Sequence, residues 1–387
     1  MDSEADLGTG GRGSLSCVPR GEDPEFDERY SILQRENGPG VAARPRGRTG
    51  TIIRGRVDEG LGGARGGGWV GSHLSRYLLL HDSTMRIVVV GRSPERAPEL
   101  SLHRAIDDAR YEFHQIHLVS ETKRLLSLLD ECKPEVIVNL AAQGEEASSW
   151  SQAWRYFETN TVVLTKVVEA LLGAGWLLRW VQIGSASVYG TGTVASSEEA
   201  PLAAGTPYAV SKAAADLYLQ AVGQVKQFPA TILRPPGLYG AGQHVFRVIP
   251  RAILSALLGK RLPLHGGGAA TKYYLHAEDL CRAISCVAES VSPGPVYNVG
   301  PTEGVTIRAV VEQIAQKAGV PFNDLVESFP SRGKHETQAS LDSERIRREL
   351  GWKPMVSLSQ GLDETIAWMR PRLEWLQQEP SEFALRA

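Results

Sequence analysis

A chain of 387 residues, 42% of them hydrophobic and 22% charged, is long enough to fold as one large globular domain or two. Its net charge of −2 gives no electrostatic reason to expect nucleic acid or an anionic membrane as partner. No apolar run is long enough to span a bilayer, and the scattered cysteines (Cys17, Cys132, Cys281, Cys286) lack the paired C-x-x-C spacing of a zinc site, so no metal is expected.

The chain opens MDSEADLGTG, acidic and without an apolar core, so neither a secretory signal nor a typical transit peptide is expected and the expected location is cytoplasmic. Residues 1–50 read as a tail dominated by Gly, Arg, Pro and acidic residues. In GGARGGGWVGSHL (62–74), Gly68 and Gly71 sit three apart, like the last two glycines of a dinucleotide-binding turn, but Arg65 stands where the first should fall. WVGSHLSRYLLL then predicts a helix, and MRIVVV (85–90) a buried strand. EVIVNLAA (135–142) predicts a strand, AWRYFETNTVVLTKVVEALL (153–172) a long helix, and RWVQIGS (179–185) a strand. PYAVSKAAADLYLQAV (207–222) predicts a helix and ATILRPPG (230–237) a strand. Strands alternating with helices of this length argue for an α/β domain with a parallel sheet. Beyond Tyr239 the pattern loosens into helices near 247–258, 306–318 and 342–350, a strand near 271–276, and a last helix broken at Pro371.

SASVYG (185–190) followed by PYAVSK (207–212) carries the chemistry. Tyr208 and Lys212 are four residues apart, so on a helix they share one face. A lysine ammonium beside a phenol favours the phenolate and lowers its pKa from about 10 toward neutrality. Tyr208 is thereby a candidate general base, taking the proton from a sugar or alcohol hydroxyl as hydride leaves. Ser185, at the end of the strand alongside, is placed to hydrogen-bond the same oxygen. A Tyr-x-x-x-Lys pair alone is common. Its weight comes from the order: a strand ending in Ser, a turn, then the pair on the next helix.

From Gly66 to about Arg370 the chain resembles the extended short-chain dehydrogenase/reductase family, in particular its nucleotide-sugar epimerases and 4,6-dehydratases. The matching pieces are GGGWVGSHL, VNLAAQ, FETNTVVLTKVVEAL, GSASVYG, TPYAVSKAAAD, LRPPGLYGAG, YLHAEDLCRAI, YNVG and LDSERIRRELGWKP, in that order. The resemblance implies a Rossmann-type doubly wound parallel sheet over residues 51–240, a smaller C-terminal substrate-binding region over 241–370, and a helical tail over 371–387. It implies Ser185, Tyr208 and Lys212 as the catalytic triad, bound NADP or NAD, a nucleotide-sugar substrate, and a homodimer through 153–172 and 207–222. The implied cofactor contacts are Gly66, Gly68, Trp69, Val70 and Gly71 at the turn, Ala141 and Ala142 beside the cofactor, Asn160 in the helix near the site, and Tyr208 and Lys212.

The departures from the family pattern narrow the reading. The dehydratases carry adjacent acidic residues in T-D-E-V-Y-G, where this chain has Ala186 and Ser187. Elimination needs carboxylates to remove the proton next to the ketone and to protonate the leaving hydroxyl. Epimerisation, which only removes a hydride and returns it to the opposite face of a transient ketone, therefore leads. A reductase or dehydrogenase of a small or apolar alcohol is the second reading, suggested by Gly237 in RPPGLYG, where relatives often have asparagine. A 4,6-dehydratase is the third, and a non-catalytic cofactor-binding relative is the reading from another class. The expected substrate contacts are Ser187, Arg247 in FRVIPRAI, Lys272 in KYYLHAED in place of a family arginine, and Arg332 in RGKHE. Lysine is a point charge and lacks the two-pronged phosphate grip of arginine.

Two questions attach to the cofactor. Upstream of Gly66 the family leads one to expect a hydrophobic strand, and EGLGGAR is polar and glycine-rich. Three readings are open: GTIIRGRV (50–57) is that strand with an unusual loop, the N-terminal segment comes from an incorrect reading frame or splice, or the site is a diverged, weak binder. The abrupt start of the match at Gly66 favours the second. At the end of MRIVVVGRS an acid would hold a ribose 2′-hydroxyl and an arginine would accommodate a 2′-phosphate. Gly91 followed by Arg92 favours NADP over NAD.

Overall fold

The computed structural model describes residues 51–54, 68–106, 109–192, 195–290, 294–330 and 340–380. The expected tail (1–50) and the last residues of the C-terminal one lie outside them. Seven strands form one sheet: β1 (Thr51–Arg54), β2 (Ile87–Gly91), β3 (Tyr111–Gln115), β4 (Val136–Asn139), β5 (Arg179–Ile183), β6 (Ala230–Arg234) and a last strand, Val296–Asn298. Their order across the sheet is last strand, β6, β5, β4, β1, β2, β3, with every pairing parallel. The chain steps outward from β1 to β3, then returns to the other side of β1 for β4. Sheets of this kind take ligands beyond the carboxyl ends of the strands where the order reverses.

Of the three readings of the segment upstream of Gly66, the first agrees with the structure in part: Thr51–Arg54 of GTIIRGRV forms a strand. Thr51 pairs with Ile87 on β2 and with Val136 on β4, so TIIR fills the interior position between them, next to the central strand β4. Three β-branched residues in a row give this segment the strand preference that the glycine-rich stretch nearer the turn lacks. Residues 55–67, which connect it to the turn, lie outside the described residues.

Both faces of the sheet are covered, which is why β2 and β6 are buried at every position. Side chains alternate faces along a strand. Val89, Val138, Val181 and Leu233 meet helix α1 (Trp69–His81) and the helix Ala277–Glu289 on one side. Val88, Val90, Ile137, Trp180 and Ile232 meet α2 (Thr122–Cys132), α4 (Val163–Ala170) and α5 (Pro207–Lys226) on the other. The long helical pattern from residue 153 is α3 (Ala153–Phe157), a π turn (Glu158–Val162) and then α4. Helix α5 starts with Thr206, whose hydroxyl accepts the Ala209 amide at 3.2 Å, and with Pro207 in the first helical position. It runs four residues beyond the expected 222.

A third apolar cluster holds the C-terminal region together around the helices Val248–Leu257, Ile307–Ala318 and Leu358–Met369. The strand expected near 271–276 is two short strands, Thr271–Lys272 and Tyr274–His276. The final helical stretch runs Leu358–Met369, is interrupted by a 3-10 turn containing Pro371, and resumes as Leu373–Leu376.

Three buried histidines set an acid limit on this fold. Burial lowers His73 and His103 to about 4 and His276 to about 3, from 6.5. His103 is satisfied as a neutral ring between the Ser72 hydroxyl (3.0 Å) and the Glu95 carboxylate (3.1 Å). The unfolded chain binds protons at these rings below pH 6.5 while the native rings resist until about 4, so stability is complete above 6.5 and is lost as pH falls through that window. The melting temperature is expected to fall steeply from pH 6.5 to 4; a flat profile in differential scanning calorimetry over that range would contradict it.

Candidate active site

A cavity of about 740 Å³ opens at the carboxyl ends of β4, β5 and β6, where the C-terminal region closes over the sheet. Ile183, Gly184 and Ser185 reach it from the end of β5, Leu140 and Ala142 from β4, and Pro235 and Pro236 from β6. Tyr208 and Lys212 face the same space from the first turns of α5, and Ser187 lines it from the 3-10 turn Ala186–Tyr189. The structure thus brings Ser185, Tyr208 and Lys212 to one cavity. Ser185 caps that 3-10 turn, its hydroxyl accepting the Ser187 amide at 3.2 Å. The Lys212 ammonium donates to the Ile183 carbonyl at 2.5 Å, which fixes it against the end of β5.

A buried polar chain stands behind this set. Asp216, one helical turn after Lys212, meets Arg234 of β6 at 2.9 Å, with side chains 0% and 2% exposed. Arg234 also donates to the Tyr189 hydroxyl at 2.6 Å, and that hydroxyl donates to Asn298 at 2.8 Å. Asn298 in turn donates to the backbone carbonyls of Ser196 and Asp342. Burial raises the Asp216 carboxyl above its ordinary value, and Arg234 works against that rise. Burial likewise raises the Tyr189 phenol, so it remains a neutral hydroxyl that can both accept and donate. Gly190 completes the V-Y-G turn at φ +76°, where a Cβ would lie 2.4 Å from the Ala203 carbonyl oxygen, so only glycine fits.

The cofactor expectations divide. Trp69 and Val70, at the N-terminus of α1, line the cavity. Gly68 caps that helix without a side-chain bond, and no acid occupies its first turn, which leaves the positive helix end open to an anion. The Gln143 Oε1 is buried without a hydrogen-bond partner in the loop after β4, beside the cavity. These features fit a dinucleotide pyrophosphate and ribose. Gly71 is buried within α1, and Ala141 is buried in the core beside Ala142. Asn160 is absent from the cavity wall. It sits in the π turn, where its amide bonds both the N–H and the carbonyl of Gln143, at 2.8 and 3.1 Å, and the Ser211 hydroxyl at 2.9 Å. It is therefore placed to hold the β4 loop against α5. Arg92 lies just past β2, half-buried and away from the cavity wall, at the edge where an adenosine ribose would pass. Gly66 and Arg332 lie outside the described residues.

Arg247 and Lys272 both reach the cavity from the C-terminal region. Arg247 is already ion-paired with Glu145 at 2.7 Å. Glu145, Glu146 and Arg251, none of them singled out by sequence, also line it. Glu146 accepts the Thr206 hydroxyl at 3.2 Å. Nothing in the spacing of EE in AAQGEEASSW marks these acids, because their partners lie on distant loops. Ser72, His103 and Glu95 are ordered like a nucleophile, a base and its carboxylate. Ser72 is 5% exposed and accepts the Leu102 amide, so this trio fastens α1 to the loop after β2 and offers no nucleophile.

Comparison with known proteins agrees with this geometry. The model of the "NAD dependent epimerase/dehydratase family" matches residues 64–300. The chain is 28% identical over 324 residues to a dTDP-glucose 4,6-dehydratase of Haemophilus influenzae, covering 78% of this chain and 95% of the relative. It is 30% identical over 325 residues to the dTDP-glucose 4,6-dehydratase of Neisseria gonorrhoeae, covering 78% and 93%. The solved dTDP-glucose 4,6-dehydratase DesIV of Streptomyces venezuelae, with NAD bound, superposes with a TM-score of 0.73 at 28% identity over 84% of this chain and 98% of that one. The UDP-glucose 4-epimerase of Thermotoga maritima shares the fold, with a TM-score of 0.71 at 21% identity over 84% and 99%. By its Rossmann sheet, its site and the family model spanning most of both, the chain is an enzyme of the NAD dependent epimerase/dehydratase family.

Proposed function

We propose that the protein is a nucleotide-sugar epimerase, and the observation that carries the reading is the wall formed after β5. There, Ser185 and Ser187 line the cavity while Ala186 is fully buried, so the turn that holds the paired acids in the dehydratases it resembles presents none. Tyr208 takes the proton from the sugar hydroxyl, Ser185 hydrogen-bonds the same oxygen, and Lys212 holds positive charge beside the phenol. A bound nicotinamide dinucleotide would supply the hydride acceptor and return the hydride to the other face. The helix end at Gly68, Ala142 and Lys212 would hold it. Arg92 favours its 2′-phosphorylated form, NADP, although solved relatives carry NAD. Lys272 and Arg251, which line the cavity from the C-terminal region, bind the substrate diphosphate.

A second reading, a 4,6-dehydratase, is favoured by the dehydratase relatives and by the carboxylates of Glu145 and Glu146 in the same cavity. Both readings place the reaction on Tyr208. Tyr208→Phe is expected to lower turnover of a nucleotide hexose by at least about a hundredfold. The variant should keep the wild-type melting temperature and still release NADP on denaturation, as identified by mass spectrometry. Undiminished turnover would refute the assignment, and release of NAD alone would refute the part given to Arg92.

The expected homodimer also has a surface to form on. Trp154 and Val162, eight residues apart, and Val210, Leu217 and Val225, spaced seven and eight apart on α5, are large apolar side chains between 40% and 74% exposed. Such spacing puts each group on one helix face, and a second copy would bury it. Leu217→Asp should convert a dimer to a monomer in multi-angle light scattering. A wild-type protein that is monomeric at micromolar concentration would contradict this.

A further inference from the structure

Two cations and one carboxylate are buried together behind the cavity. The Lys212 ammonium lies against the end of β5, donating to the Ile183 carbonyl at 2.5 Å. Asp216, one turn further along α5, accepts from Arg234 on one oxygen at 2.9 Å. Its other oxygen is buried without a hydrogen bond and stops 3.3 Å from where a Gly184 Cβ would sit. Ammonium and carboxylate therefore bracket the same step of the chain, Ile183–Gly184, and each feels the other's charge. Arg234 also reaches toward the site, donating at 2.6 Å to Tyr189 in the turn that begins at Ser185.

We propose that Asp216 is a positioning residue for the base: it cancels the Arg234 guanidinium, so that Tyr208 meets the charge of Lys212 and not that of a second buried cation. The inference rests on the reading of Tyr208 as the base and deepens it. Arg234 cannot shed its proton inside a protein, so without Asp216 its charge stays. Tyr208 and Asp216 lie about 12 Å apart along α5, and Arg234 is held against Asp216. At that range, with an effective dielectric of about 20, one unmatched charge moves a phenol's ionisation by about one pH unit. The other groups around Tyr208 stay the same when the pair is changed. They are the Tyr156 ring of α3, with 6.4 Å between centroids, and Ser185 and Ser187 after β5. Glu145, paired with Arg247, and Glu146, bonded to Thr206, stand on the loop after β4, with Arg251 and Lys272 across the cavity. Behind Arg234, Tyr189 also feels Glu198, which accepts the Asn298 amide.

Alkaline titration of the full chain reads this through the near-ultraviolet absorbance of phenolate. Each curve is taken as the difference from the same protein carrying Tyr208→Phe, so the other tyrosines cancel. Asp216→Asn, which removes the charge and keeps the shape, should bring the Tyr208 ionisation about half a pH unit or more below wild type. Asp216→Asn with Arg234→Gln, which removes both charges, should return it to within about a third of a unit of wild type. A merely fastening role predicts no such return, because the double variant has lost the ion pair as well. An unmoved or raised ionisation in a folded Asp216→Asn protein overturns the proposal, as does a double variant that shifts as far as the single one. If Asp216→Asn does not fold, the double variant decides. Ionisation at the wild-type pH then supports the proposal, and a shift of about half a unit or more overturns it. Wild-type Tyr208 that stays neutral up to about pH 10, the ordinary phenol value, would overturn its reading as the base, and this inference with it.

Discussion

The carboxylate of Asp216 and the guanidinium of Arg234 meet at 2.9 Å, both out of reach of water, and the proposed catalytic set is hung on that pair. Asp216 belongs to the helix that carries Tyr208 and Lys212, and Arg234 ends the strand next to β5. Arg234 reaches on to Tyr189, in the turn that begins at Ser185, and Tyr189 to Asn298 at the sheet edge. One chain of hydrogen bonds therefore ties together helix, turn and sheet, the three elements that supply the base, the serine and the lysine anchor. Removing one member of such a buried pair leaves an uncompensated charge, which typically costs about 3–5 kcal/mol. A hydrophobic replacement of the pair would not fix the angle at which α5 meets β5.

The chemistry follows from which walls carry charge. The proposed hydride removal needs a base at one oxygen and a lysine beside it, and Tyr208 and Lys212 line the cavity from the first turns of α5. Elimination needs a second acid–base pair next to the reacting carbon. In this chain the turn after β5 is neutral, and the acids instead stand on the loop after β4, where one is paired with Arg247 and the other with Thr206.

Much of this was legible in the sequence. β2, β4, β5 and β6 announce themselves as short β-branched runs, and Tyr208 and Lys212 share a helix face by spacing alone. β1 was legible only as one of three readings of the segment upstream of Gly66, because residues 55–67 separate it from the glycine turn that such strands normally abut. The π turn at Asn160 was hidden for a different reason: a single wide turn barely disturbs helical periodicity, and it registers only when the Asn160 amide is seen bonding Gln143 and Ser211. Glu145, Glu146 and Arg251 carry no local pattern. Their meaning comes from contacts across long stretches of chain, as between Glu145 and Arg247. Asp216 stood within a recognisable motif, yet its partner on β6 could be found only in three dimensions.

In the function proposed here the site moves a hydride without eliminating water. The direct measurement is proton NMR of dTDP-glucose and UDP-glucose incubated with the purified protein in deuterium oxide. The account predicts an equilibrium mixture of epimers whose carbon-bound hydrogens remain undeuterated, because the hydride leaves and returns without exchanging with solvent. A 4-keto-6-deoxy sugar carrying solvent deuterium would contradict it and would show that another acid in the cavity performs the elimination.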